Sequence, residues 1–167
     1  MKIYVAGASR ERNERAKPVI KTLREAGIEI TYDWTQNVDQ YPPDAPAPSD
    51  EYLRNCAQED YDGVMNADQI LVLLPEDSHS TGAWAELGIA LGSCVPVMVS
   101  GSVTALRKCI FLHMPRVQKF LSDDDAIEWL IKIHNHSSFL STLNFSSGST
   151  PQSVDITSEA AKILEDK

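Results

Sequence analysis

Cysteine is scarce in this chain: Cys56, Cys94 and Cys109 are an odd set without metal-ligand spacing, each in an apolar segment. A disulfide framework is not implied, and reduced core thiols are expected. Positive charge is also short, with 15 Lys and Arg against 24 Asp and Glu and a formal net charge of -9. That balance argues against a nucleic-acid backbone or an anionic membrane as the main partner, although a small anionic ligand needs only a local positive site. Arg10, Arg12 and Arg15 are candidates for one. No apolar run approaches membrane-spanning length, and the amino terminus runs into a strand without the charged start and long apolar stretch of a signal peptide. A cytoplasmic protein is expected. His134 and His136 form a His-x-His pair at a predicted helix end, where the two side chains diverge, so no metal is assigned. His79 and His113 sit at no spacing that marks a general base. Internal repeats and heptads are absent.

What is present is a chain of 167 residues, 43% hydrophobic and 23% charged, enough for one globular domain with an ordinary core. Short apolar runs at 2–6, 28–32, 69–74, 95–100 and 108–112 read as strands. Helical patterns alternate with them at 11–26, closed by Gly27, at 50–66 with Ser49 as N-cap, at 83–93, and at 123–135 with Ser122 as N-cap. The alternation predicts an α/β fold: a single-domain, doubly wound (Rossmann or flavodoxin-like) sandwich on a five-stranded, mostly parallel sheet. Its crevice should lie above the carboxyl edge near the first and third strands. The α/β domain is assigned to 1–135 and a polar carboxyl-terminal extension, rich in Ser, Thr and Asn, to 136–167. Between 35 and 49, Pro42, Pro43, Pro46 and Pro48 make helix and sheet improbable. A semi-rigid loop is expected there, leaving the second strand at the sheet edge that holds the crevice, where it can act as a lid beside Asp33 and Trp34.

Two carboxylates fall where apolar residues belong. In Ser-Thr-Gly-Ala-Trp-Ala-Glu-Leu-Gly-Ile-Ala-Leu-Gly (80–92), the apolar stripe reads Ala83, Leu87, Ala90 and Leu91, and Glu86 shares its side. In the helix from Asp50 the stripe reads Leu53, Ala57, Tyr61 and Val64, and Asp60 shares that one. A buried unpaired carboxylate costs several kcal/mol (roughly 3 or more), so such a group is neutralised, paired, or held at a site where substrate meets it. Two carboxylates in different environments are what glycosidic bond cleavage requires, one ionised as nucleophile and the other protonated as acid. The strand 69–74, the polar loop after it and the helix start at Ser80, Thr81 and Gly82 also form a natural anion site, since free N–H groups point outward there.

These residues resemble the nucleoside 2-deoxyribosyltransferases and the related 2'-deoxynucleoside 5'-phosphate N-hydrolases, over roughly residues 1–101. The resemblance is carried by four elements in order: Lys-Ile-Tyr-Val-Ala-Gly-Ala-Ser-Arg (2–10), Gln-Glu-Asp-Tyr-Asp-Gly (58–63), the strand beginning near Asp68, and Ala-Glu-Leu-Gly-Ile-Ala-Leu-Gly (85–92). It implies a retaining displacement at the sugar C1' carbon, with Glu86 as nucleophile, Asp60 protonating or orienting the departing base, and Tyr4 holding Glu86 for attack. Six residues before Glu86, the transferases carry an Asp for the sugar 5'-hydroxyl; here the residue is Ser80. The hydrolases place a Ser there, a Gly two residues later and an Arg in the first loop around a 5'-phosphate, matching Ser80, Gly82 and Arg10. The expected substrate-binding set is thus Gly7, Ser9, Arg10, Asp33, Trp34, Ser80 and Gly82. Trp34 or Trp84 is a candidate to stack on a base.

The resemblance therefore implies cleavage of (deoxy)nucleoside 5'-monophosphates to free base and sugar phosphate, with no cofactor, a small-molecule partner and a homo-oligomeric protein. Base exchange between deoxynucleosides and non-catalytic nucleotide sensing are the alternatives. Trp84 in place of a small or aliphatic residue, the lack of the second first-loop glycine common in the hydrolases, and the segment 35–49 depart from the family pattern.

Overall fold

The structure is a computed structural model that describes residues 1–39, 46–75 and 80–146, with 138–146 as backbone alone. Five parallel strands, β1 (Lys2–Ala6), β2 (Glu29–Ile30), β3 (Gln69–Leu73), β4 (Val97–Ser100) and β5 (Val117–Phe120), form one sheet in the order β2-β1-β3-β4-β5. The helices are α1 (Lys17–Glu25), α2 (Thr35–Asp39), α3 (Asp50–Met65), α4 (Thr81–Gly92), α5 (Val103–Leu106) and α6 (Asp123–Ser146). Strand order reverses between β1 and β3, and the crevice at that switch point is where a doubly wound sheet binds its ligand. The α/β architecture with an all-parallel sheet is the fold that the alternating pattern predicts.

Buried parallel strands need apolar residues on both faces, which is why β1, β3 and β4 are nearly continuous apolar runs. Ile3, Tyr4, Val5, Ala6, Ile70, Leu71, Val72, Met98 and Val99 are fully buried. Helix α1 stops at Gly27, whose φ of 79° lies in the left-handed region. There the Gly27 N–H bonds Arg24 O and the Ile28 N–H bonds Leu23 O, closing the last turn. Ser49 caps α3 by accepting the Tyr52 N–H at 3.2 Å, and Ser122 Oγ accepts the Asp125 N–H at 3.1 Å in the first turn of α6.

Several expectations need correction. The fifth strand is not the apolar run 108–112 but β5, and a 3-10 turn occupies Ile110–His113. Ile110 and Phe111 are 80% and 56% exposed while Leu112 is fully buried, so one side chain of the turn anchors it in the core and the run does not alternate as a strand would. β5 is an edge strand pairing only with β4, and its mixed residues Val117, Gln118, Lys119 and Phe120 suit a half-covered position. The helix expected at 11–26 begins as a 3-10 turn (Ser9–Glu11) and a π-helical turn (Arg12–Ala16). Pro18 near the start of α1 has no N–H to give to that turn. Residues 35–39, expected as loop, form α2, because the prolines begin only at Pro42. Pro42 and Pro43 lie outside the described residues. Helix α6 continues to Ser146 rather than ending at 135, since no Gly or Pro interrupts the sequence before Gly148.

An ion network braces the carboxyl edge of the sheet. Arg15 donates to both oxygens of Asp123 at 2.7 and 2.8 Å, to Leu74 O at 2.7 Å and to Ser100 O at 3.2 Å. Ser100 Oγ donates to the same Asp123 at 2.5 Å. Burial alone would raise the Asp123 pKa, but the bonds from Arg15 and Ser100 outweigh it and hold the carboxyl below its ordinary value. Arg15, a sequence candidate for anion binding, is thus committed to structure. The chain divides into two compact units, Met1–His134 and Asn135–Lys167, and the whole sheet lies in the first. Among the described residues no helix is long and apolar enough to cross a membrane.

Candidate active site

Tyr4 sits in the middle of β1, where alternation along the strand turns its side chain toward α3 and α4. Its hydroxyl lies 2.8 Å from Asp60 Oδ1 and 2.9 Å from Glu86 Oε1. Three residues separated by 56 and 82 positions therefore meet at one phenolic oxygen. Glu86 is in the second turn of α4 and only 8% exposed, on the side shared with Ala83, Leu87 and Ala90. Its Oε2 is buried and has no hydrogen-bond partner among the described residues. One carboxylate oxygen is anchored, then, and the other is desolvated and unengaged.

Asp60 reaches this point by a face of α3 other than the one the apolar pattern suggests. Leu53, Ala57 and Tyr61, expected to be buried, are exposed, Leu53 by 51% and Tyr61 by 43%. Tyr52, Cys56, Asp60 and Gly63 turn inward instead, at helical spacings of four, four and three. The stripe holds a carboxylate and a glycine because it faces a cleft and the ring of Tyr4, not an apolar core.

Protonation in this cluster is a shared property. Burial, then the negative charges of Glu86 and Asp60, push the Tyr4 pKa up, so the phenol keeps its proton. Burial is also the largest influence on Glu86, followed by repulsion from Asp60; the Tyr4 bond offsets them only in part, and the pKa rises to about 7. Asp60 is raised as well, by burial and by Glu59, against the lowering effect of the Tyr4 bond. One phenolic proton cannot serve two carboxylates at once, so the second contact is satisfied only when a carboxyl group donates in return. The two acids titrate as a pair around Tyr4.

The cleft over this cluster has a volume of about 390 Å³ and is walled by Gly7 and Ser9 after β1, by Trp34, Asn37, Val38 and Pro48, by the inner face of α3, and by Ser80, Thr81 and Gly82. Five of the seven expected substrate-binding residues, Gly7, Ser9, Trp34, Ser80 and Gly82, are on its wall together with Asp60 and Glu86. The indole N–H of Trp34 donates to Val5 O at 2.7 Å, which fixes the ring at the floor of the cleft. The α4 amino end opens onto it: Ser80 makes no side-chain cap, and the first turn has no acidic residue. Apart from its chain neighbours and the helix's own backbone, no described atom lies within 4 Å of where a Cβ on Gly82 would stand. Such an end, with outward N–H groups and a positive dipole, suits an anion.

Two expected residues are not on the wall. Arg10 is exposed on the 3-10 turn that begins at Ser9. Asp33 braces α2: it accepts from Thr35 Oγ1 at 2.6 Å and Gln36 Nε2 at 3.2 Å and pairs with Arg24 at 2.9 Å. Burial opposes its ionisation, yet these bonds prevail and keep its pKa low. Trp84 is also removed from the candidates for base stacking, because it lines a separate hollow of about 600 Å³ with Leu87, Leu91 and Phe111 and not the cleft over Glu86. Sequence reasoning missed Asn37, Val38, Tyr52 and Cys56. The helix start at Thr35 and the inward spacing of Tyr52, Cys56 and Asp60 were the available signals.

The family model for nucleoside 2-deoxyribosyltransferase matches residues 3–125. Among solved structures, a 2-deoxyribosyltransferase from Bacillus psychrosaccharolyticus aligns with a TM-score of 0.60 at 20% identity, over 76% of this chain and 90% of that one. A conserved protein from Enterococcus faecalis V583 gives 0.56 at 17%, over 80% and 98%. A CMP N-glycosidase from Clostridium botulinum gives 0.52 at 18%, over 78% and 98%. Likeness at these identities is likeness of fold. No curated protein matches the chain by sequence.

Proposed function

The chain belongs to the nucleoside 2-deoxyribosyltransferase family, and from that premise we propose that it cleaves the N-glycosidic bond of (deoxy)nucleoside 5'-monophosphates, giving free base and sugar phosphate. The observation that carries the reading is the Tyr4 hydroxyl held between Asp60 and Glu86. Two carboxylates sharing one hydroxyl are no farther apart than two hydrogen bonds end to end. That fits the separation of about 5–5.5 Å used by retaining enzymes, in which one carboxylate attacks the sugar directly.

Glu86 attacks C1' through Oε2, the oxygen with no partner. The C1'–N bond breaks with its electron pair going to the base, and the Asp60 carboxyl proton passes to the base nitrogen. Asp60 must begin this step protonated and Glu86 ionised, so the pair carries a single proton, which burial favours on either acid. Tyr4 resolves the assignment by passing its proton to Asp60 while accepting the one on Glu86. In the second step a water oxygen attacks C1', the C1'–Oε2 bond breaks, and the water proton returns to Asp60.

The monophosphate reading is supported by the uncapped amino end of α4, where Ser80, Thr81 and Gly82 offer neutral donors. Arg10, on the turn starting at the cleft residue Ser9, supplies the counter-charge; an Asp in place of Ser80 would repel a phosphate. The exposed apolar stripe on α3, Leu53, Tyr61 and Met65, supports a homo-oligomer that covers it. Light scattering on the wild type and on Tyr61→Glu tests that pairing, which fails if both are monomeric.

The reaction is tested by incubating purified protein with deoxynucleoside monophosphates and nucleosides, with and without a second free base, and following products by chromatography with Glu86→Ala as control. Base release from monophosphates is the expected result. Base exchange between free nucleosides would move the assignment to a transferase, and binding without turnover to a sensor.

A further inference from the structure

We propose that Glu59 and Tyr32 lock the side-chain amide of Asn37 so that it offers the cleft only a hydrogen-bond acceptor, selecting bases with an exocyclic amino group over their oxo counterparts. The inference rests on the nucleotide reading of the same cleft and names the base class within it.

Asn37 lines the cleft with Asp60 and Glu86. Its backbone is pinned twice: the N–H bonds Trp34 O at 3.1 Å, and Tyr52 Oη donates to its carbonyl at 3.2 Å. The side-chain nitrogen Nδ2 faces Tyr32 Oη and lies 3.2 Å from Glu59 Oε2, with Cys56 Sγ at 3.5 Å. Tyr32 in turn donates its one proton to Glu59 Oε2 at 2.6 Å. Burial and the Glu59 charge push its ionisation upward, so that proton stays. The phenolic oxygen is left as an acceptor.

An ionised carboxylate only accepts, so the amide must turn its N–H₂ toward Glu59 and not its oxygen. Tyr32 Oη and Glu59 Oε2, only 2.6 Å apart, take one amide hydrogen between them, and Cys56 Sγ at 3.5 Å is the acceptor beside the other. Oδ1, at the opposite corner of the planar group, is the polar atom left for a ligand. Glu59 immediately precedes Asp60 on α3, so the residue that orients Asn37 adjoins the one that meets the departing base. Cytosine and adenine present an amino donor at ring positions 4 and 6, where uracil and hypoxanthine present an oxygen. Against Oδ1 the amino group bonds, whereas the oxygen meets another acceptor and goes unpaired.

The test measures kcat/KM of the full-length protein for dCMP against dUMP and dAMP against dIMP, together with their Kd values in Glu86→Ala by calorimetry. We expect the amino member of each pair to be favoured about tenfold or more. In Glu59→Gln the new side chain can donate, Asn37 is free to turn over, and both ratios should fall to about threefold or less. A merely structural role for Glu59 would lower all four substrates together and leave the ratios unchanged, which overturns the inference. Equal handling of each pair by the wild type does the same while leaving the hydrolase reading intact. Selective binding without turnover sinks that reading and keeps the inference. Failure to bind any of the four removes both.

Discussion

Gly63 on α3 lies so close to the ring of Tyr4 that a Cβ at this position would stand 2.8 Å from Tyr4 Cε2, and equally 2.8 Å from Tyr32 Cβ. The Tyr4 ring has no room to retreat, since it is fully buried in the sheet. Gly63→Ala should therefore cost about 1–3 kcal/mol of stability by overpacking. Because the ring that must move carries the hydroxyl between Asp60 and Glu86, kcat should fall roughly 10- to 100-fold. Urea unfolding alongside steady-state kinetics checks both; unchanged kcat in a folded variant would refute the coupling.

Tyr4→Phe keeps the ring and removes the hydroxyl. Glu86 loses the one bond that lowers its pKa, and the two acids face each other directly. We expect kcat to drop about 10²–10⁴-fold with KM little changed. The acid limb of the pH-rate profile should move to higher pH, and a limb that stays in place would contradict the role given to Tyr4.

Stability should depend on pH through Glu86. Its pKa rises from 4.5 to about 7 on folding, so between those values the folded protein holds a proton that the unfolded chain has released. Stability from this group therefore falls as pH climbs through that window and levels off above it. Glu86→Gln removes the ionisable group. The variant should be more stable than the wild type at pH 8, on the order of 1–3 kcal/mol, with the difference shrinking toward pH 4. Denaturation curves at pH 4, 6 and 8 decide it.

Arg15→Met leaves Asp123 with Ser100 as its remaining side-chain donor. Removing one partner of so enclosed a pair should cost about 2–4 kcal/mol. In the wild type the lowered Asp123 pKa contributes stability that is complete above the ordinary carboxylate value and lost as pH falls through its folded value. The variant should lack that acid-dependent loss. Urea unfolding at pH 3 and pH 7 measures it, and an equal acid response in both proteins would rule the pair out as its source.

The sequence showed β1, β3 and β4 plainly because strands buried on both faces must be apolar throughout, and Gly27 and Ser49 marked helix ends by their own chemistry. It misplaced the last strand because an edge strand such as β5 needs only one apolar side, while the stronger run 108–112 is a turn that buries Leu112 and leaves Ile110 and Phe111 exposed. Glu86 and Asp60 stood out as acids among apolar residues, and the structure brings both to Tyr4. Of the apolar stripe expected beside Asp60, Val64 alone is buried: Ala57 and Tyr61 face outward and Leu53 lies half-exposed at the cleft, while Asp60 turns inward with Tyr52 and Cys56. Asn37 escaped notice because its orientation depends on Glu59 and Tyr32, partners 22 and 5 residues away, which no local pattern connects.

The long spans closed by Tyr4 also order events in time. A ribosome adding about 5–20 residues per second has made Tyr4 roughly 4 to 16 seconds before it adds Glu86, 82 positions later. Until α4 emerges and packs beside β1, the hydroxyl lacks one of its two acids, and a chain that has already formed α1 and α3 still has only Asp60 at that point. Newborn molecules thus complete the Tyr4 cluster only when α4, the helix between β3 and β4, has packed, after the β1–β3 crossover has already been made.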